Sequence, residues 1–168
     1  MIFAKSVVMA LGLLLGCASA AADELPRPTG PVILTVEGRL ANTNGDGVAR
    51  FDREMLERLP GHRTSTDTPW TDGIIEFEGP LGRALLDAVG ASGDTLIVTA
   101  LNDYSAEVPL DDFYKYDVIL ALKMDGDYIR IRDRGPIFIV YPFADDPALQ
   151  TEVIHNRSVW QLKSIRIQ

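Results

Sequence analysis

Between Asp117 and Phe143 the chain reads DVILALKMDGDYIRIRDRGPIFIVYPF, three β-rich runs separated by Asp-Gly and by Arg-Gly-Pro. An Asp-Gly pair between β-rich flanks favours a two-residue hairpin, because both central residues of that turn take positive φ. The spacing predicts strands at Val118 to Lys123 and Tyr128 to Arg132 around Met124-Asp125-Gly126-Asp127. A third strand is expected from Ile137 to Tyr141, apolar on both faces and therefore internal to the fold, with Pro142 ending it. Such a stretch commits the chain to sheet.

The flanking sequence agrees. Val32 to Leu40 reads as a strand with a β-branched start, followed by the turn ANTNGDG. Asp52 is placed to cap a short helix reaching Leu59, which Pro60-Gly61 ends. HRTSTDTPWTDGII reads as a polar loop around one large aromatic, Trp70, running into a short strand at Ile74 to Phe77. Leu81, Leu85, Leu86 and Val89 recur at helical spacing after Gly79-Pro80, and Gly90 stops that helix. Strands follow at Leu96 to Leu101 and Ala106 to Leu110, then a short helix DDFYKY capped by Asp111. A last strand, Val159 to Ile167, supplies Trp160, Leu162, Ile165 and Ile167 as core residues. Many strands and few, short helices give an α+β class with a mixed, strand-rich sheet, not a doubly wound parallel one.

Residues 1–22 carry Lys5, the apolar run VVMALGLLLG and the small residues ASAAA, the pattern of a secretory leader. The run is too short to span a bilayer. Two processing routes are open: cleavage after Ala20 or Ala22, or lipidation of Cys17 within Leu14-Leu15-Gly16-Cys17, the one route that would tether the chain to a membrane. Either way the chain is expected to be exported, with the periplasm as its compartment. Residues 23–30, polar and Pro-rich, are expected to be a linker, and residues 31–168 a single domain. A domain of this size buries roughly 70% of its unfolded surface, so it needs neither disulfide nor structural metal to fold.

The chain carries 16 basic and 24 acidic residues, a net charge of −8. That balance excludes nucleic acid and anionic membrane surfaces as partners of the domain. Cys17 is the one cysteine, so nothing after the leader offers a thiolate to a soft metal.

Few motifs carry chemistry. Asn42, Asn44 and Asp46 alternate ahead of Gly47 like the start of a calcium loop, but Arg53 stands where the closing glutamate belongs, so a plain turn is expected. His62 and His155 are the only histidines and stand far apart. No P-loop, G-x-G-x-x-G or G-x-S-x-G segment occurs. Asn156-Arg157-Ser158 matches a glycosylation acceptor, a short and unspecific pattern. In the expected strand Tyr128 to Arg132, period two places Arg130 and Arg132 on one face, with Arg134 just beyond. Two guanidiniums so placed either grip a small anion or pair with surface carboxylates in solvent. Asn102-Asp103-Tyr104 after a strand is either the lip of a pocket or a turn.

The ordered set resembles the molybdopterin-binding oxidoreductase domain of the sulfite oxidase family. It comprises Thr68-Pro69-Trp70 running to Phe77-Glu78-Gly79-Pro80-Leu81 with Leu85-Leu86, Ala100 to Tyr104 with Pro109-Leu110, and the hairpin Leu120 to Gly126. Gly135-Pro136 opening the apolar strand, and Trp160, Lys163 and Ile165 in the closing one, complete it. The resemblance implies that fold, an oxidoreductase activity and a molybdenum pterin cofactor held by basic and polar side chains. It also implies a metal-ligating cysteine in the loop upstream of the aromatic-x-Gly-Pro-Leu segment. Here that loop is Arg63 to Trp70 and has none; Ser65, Thr66 and Asp67 are the oxygen donors in its place. The expected function is therefore a metal-free exported binding or sensory module for a small anionic ligand or a partner protein. The alternative is a small periplasmic molybdopterin-dependent oxidoreductase with a non-cysteine metal site. The residues expected to line the site are Thr66, Asp67, Trp70, Asn102, Asp103, Tyr104, Arg130, Arg132 and Arg134.

Overall fold

The structure is a computed structural model that describes residues 25–168, so the leader and Cys17 lie outside the described residues. In chain order, β1 (Val32–Gly38), β2 (Ala49–Asp52), α1 (Arg53–Glu57), β3 (Gly61–Thr66), β4 (Ile75–Pro80) and α2 (Gly82–Val89) form the first half. Then come β5 (Thr95–Ala100), β6 (Ser105–Pro109), α3 (Leu110–Lys115), β7 (Ile119–Ala121), β8 (Lys123–Met124) and β9 (Asp127–Tyr128). A 3-10 turn at Ile131–Asp133 precedes β10 (Phe138–Val140), and α4 (Glu152–Arg157) precedes β11 (Leu162–Ile167). No helix among the described residues is long and apolar enough to cross a membrane.

Three sheets result, ordered β2-β1-β11-β5-β6, β10-β7 and β3-β4-β8-β9. All pairs are antiparallel except β1 with β11, where the C-terminal strand inserts between β1 and β5. The short β7–β10 ribbon divides the interior. Leu120 and Ile139 face the main core with Leu34, Val36, Leu85 and Ile165, while Ile119, Ala121, Phe138 and Val140 face a smaller core with Phe77 and Ile129. Period-two geometry sends alternate side chains to opposite faces, so a run apolar at every position is buried twice over. Trp70 and Trp160 pack, partly buried, on the smaller core.

Local signals held where they are strongest. Asp52 caps α1 by accepting from the Met55 N–H at 2.9 Å, and Gly90 closes α2 at φ 60°. Asp125 and Gly126 take φ 48° and 86° in the hairpin between β8 and β9, as a primed turn requires.

Several expectations need correction. Gly61–Thr66 is a strand, not a loop: Thr64 and Thr66 point inward, while Arg63 reaches across the outer face to Glu78 at 2.9 Å. The Ala49–Asp52 strand and α4 went unforeseen, and α3 starts at Leu110 without a side-chain cap from Asp111. The linker segment from Leu25 is laid against the domain, with the Thr29 and Gly30 N–H groups each 2.8 Å from Asp52 Oδ2. The expected strand Tyr128 to Arg132 breaks after Tyr128. Gly135 approaches so closely that a Cβ there would lie 1.8 Å from the Ile129 carbonyl oxygen, and the Gly135 and Asp133 N–H groups both bond to the Arg130 carbonyl. That turn leaves Ile129 buried and Ile131 58% exposed, so Arg130 and Arg132 share no strand face.

Candidate functional site

Three loops meet at one end of the smaller core. The β3–β4 loop brings Trp70, whose backbone N–H bonds to Thr68 Oγ1 at 3.2 Å while that hydroxyl meets Thr71 Oγ1 at 2.8 Å. The β5–β6 turn brings Asn102 and Tyr104. Asp103 between them takes φ 66°, and Asn102 Oδ1 accepts from the Tyr104 N–H at 3.1 Å, an Asx-type turn. The third contributor is α4 with the residues after it, which bring His155, Asn156 and Trp160. Thr151 caps α4 through the Ile154 N–H at 3.3 Å.

Together these residues line a cleft of about 280 Å³. Trp70 stands edge-on to Phe138 at 5.7 Å and to His155 at 6.0 Å. His155 is also 5.5 Å from Phe143, and its Nε2 lies 3.2 Å from Gln150 Oε1. Tyr104 closes the mouth by donating its hydroxyl to the Asn156 carbonyl at 3.2 Å. The walls are aromatic faces, and the polar groups come from the Asn102 and Asn156 amides, the His155 imidazole, the Tyr104 and Ser158 hydroxyls and the indole N–H groups. Both tryptophans of the chain stand here.

Of the residues expected from sequence, Trp70, Asn102 and Tyr104 converge on this cleft. Asp103 lies on its rim, turned to Lys163 at 2.5 Å, and the hydrogen bond and charge of that ammonium hold its carboxyl below the usual range. Arg130, Arg132 and Arg134 do not line the cleft. Arg130 pairs with Asp133 at 2.5 Å, Arg132 lies 3.8 Å from the same carboxylate, and Arg134 closes the turn at φ 83°. His155, Asn156 and Trp160 were missed as site residues. Their one sequence signal is Thr151 followed by Glu152, a helix start that would have placed His155 and Asn156 on an ordered element.

The alternative, a non-cysteine metal site, depends on which donors are free. Thr66 is fully buried; its hydroxyl accepts from the Ala144 N–H at 2.9 Å and donates to the Asp67 carbonyl at 3.1 Å. Thr68 is engaged as described, while Ser65, on the outer face of β3, and Asp67, just after the strand, are both exposed. Among the described residues no cysteine occurs and no group of three His, Cys, Asp or Glu side chains is placed to hold a metal ion. The residues present do not fit a thiolate-ligated molybdenum centre. Asn42, Asn44 and Asp46 are likewise structural: Asn42 donates to the Ala88 carbonyl, Asn44 to the Pro26 and Arg50 carbonyls, and Asp46 pairs with Arg50.

Residues 51–144, more than half of the chain, match the family model of the oxidoreductase molybdopterin binding domain. Among solved structures, the fold is similar to that of the sulfane dehydrogenase SoxCD from Paracoccus pantotrophus, with a TM-score of 0.58 at 19% sequence identity. That match covers 80% of this chain and 37% of the other, so the chain spans well under half the length of that relative. No curated protein sequence matches the chain.

Proposed function

We propose, for a chain that belongs to the oxidoreductase molybdopterin-binding domain family, that its cleft between Trp70, Tyr104 and Trp160 binds a small ligand and that the domain works as a binding module. The observation that carries this reading is the commitment of Thr66. In the segment from Arg63 to Trp70, where the family implies a sulfur ligand, the buried Thr66 hydroxyl at the end of β3 is spent on Ala144 and Asp67. A cleft of about 280 Å³ lies just below the usual range for small-molecule sites, roughly 300–1,000 Å³, which suits a small ligand. The leader pattern of residues 1–22 supports a periplasmic location for the module.

A second reading has one observation in its favour. Asp67 is an exposed carboxylate in that same segment, and in a molybdenum-dependent oxidoreductase built on this chain it would be the charged oxygen donor there. Metal analysis of the protein purified from its own host under molybdate-replete growth separates the two. The binding-module reading expects molybdenum far below one atom per chain; stoichiometric molybdenum, lost in Asp67→Ala, would overturn it.

A further inference from the structure

The cleft combines stacking surfaces with hydrogen-bond donors and contains no fixed charge. Trp70, Tyr104, His155 and Trp160 offer ring faces, and among the described residues no Asp, Glu, Lys or Arg lines the cavity. Every buried side-chain nitrogen and oxygen among the described residues has a partner. Within the cleft, Asn102 accepts the Tyr104 N–H through its oxygen, and its amide nitrogen is a donor. The indoles of Trp70 and Trp160 also have only donors to give. A flat ring whose edge carries acceptors can stack on these walls and pair with these donors.

Charge is controlled at the rim. Two cations stand beside the lining residues, and each is already neutralised. Arg157, next to Asn156, lies 3.0 Å from Asp112. Lys163 lies 2.5 Å from Asp103, the residue between Asn102 and Tyr104. Bringing an anionic ligand into an aromatic cleft without a free counter-charge is unfavourable, because the lost hydration is not replaced.

Given that the cleft is a binding site, as proposed above, we infer that it selects an uncharged flat ring bearing carbonyl or ring-nitrogen acceptors. We infer further that Asp103 sets this selectivity by occupying Lys163, so that phosphorylated forms of the same ring are rejected. Asp103 is thus a specificity-determining residue that acts through Lys163, and Trp70 and Trp160 make the ring contacts.

The test uses the full chain with two probe pairs, inosine against inosine 5′-monophosphate and riboflavin against flavin mononucleotide, followed by titration calorimetry. For the inosine pair, tryptophan emission is a second readout, since both tryptophans line the cleft. In at least one pair the unphosphorylated member should bind about tenfold more tightly than its phosphate ester. Asp103→Asn, which tolerates the left-handed backbone at this position, should shift that ratio towards the phosphate ester by about tenfold, and adding Lys163→Met should cancel the shift. Binding of neither pair, equal or tighter binding of the esters, or a ratio unmoved by Asp103→Asn would overturn the inference. Tighter binding of the esters would leave the binding-module reading standing, whereas stoichiometric molybdenum would remove that reading itself.

Discussion

The Tyr141 hydroxyl donates to the Asp112 carboxylate at 2.8 Å, and Arg157 reaches the same oxygen at 3.0 Å. Through Asp112, the strand end after β10 and the helix α3 together anchor the C-terminal end of α4, the element that carries His155 and Asn156 into the cleft. Asp112 is 9% exposed and Tyr141 fully buried, so this is a largely dry polar cluster. Asp112→Ala should cost about 3 kcal/mol because it leaves Arg157 without a counter-charge, and Tyr141→Phe about 1 kcal/mol. Urea unfolding of the single and double variants measures both, and the double variant should lose less than the sum.

Tyr141 of this cluster and Tyr114, which donates to Asp87, shape the alkaline behaviour. Burial, then the neighbouring Asp112 charge, pushes the Tyr141 phenol far above its ordinary range, and burial with the hydrogen bond to Asp87 moves Tyr114 up to about 12. A phenol that holds its proton more tightly when folded stabilises the fold fully below its ordinary value of 10.0 and loses that contribution as pH rises towards the raised value. Absorbance titration should therefore show Tyr114 and Tyr141 ionising later than an unperturbed tyrosine, with Tyr141 ionising as the protein unfolds. Ionisation of all five tyrosines near pH 10 in the folded protein would contradict this.

At the acid end the corresponding group is Asp52. Its carboxylate, 2% exposed, accepts from the N–H groups of Met55, Gly30 and Thr29, and the Met55 bond is the largest cause of its lowered pKa. A depressed carboxyl stabilises the fold above its ordinary value of 3.8 and loses that contribution as pH falls through the lowered value. Asp52→Ala should cost about 2 kcal/mol near neutrality and flatten the acid limb of a stability profile measured between neutral and acid pH.

Thr66 makes a separate prediction. Thr66→Val keeps the shape of the side chain but leaves the Ala144 N–H without its acceptor, for a loss of about 2 kcal/mol in chemical denaturation. Thr66→Ser keeps the hydroxyl and should recover most of that loss. Equal stability of both variants would show that the hydroxyl is not the group that matters.

Most elements were legible because their causes are local. The Asp125-Gly126 turn, the Asp52 cap, the Gly90 stop and the unbroken apolar run from Ile137 to Tyr141 each depend on residues a few positions apart. Even the β3 strand had a readable trace in Thr64 and Thr66, masked by its exposed polar neighbours. The arginine face failed for a non-local reason, since the close approach of Gly135 to Ile129 and Arg130 ends the strand that would have carried it.

Composition, turn chemistry and side-chain periodicity act over short range, so the strand-rich class, the acidic balance and the absence of any thiolate after Cys17 can be read from the residues alone. Which polar residues share a site is set by packing between distant segments. Trp70, Asn102, Tyr104, His155, Asn156 and Trp160 are scattered along the chain, and packing on the smaller core brings their loops together. The insertion of β11 beside β5 sets Gln161 against Leu101, next to the Asn102 turn, through the Leu101 N–H at 2.8 Å. Such contacts follow from strand order and long-range packing, and no local pattern in the chain encodes them.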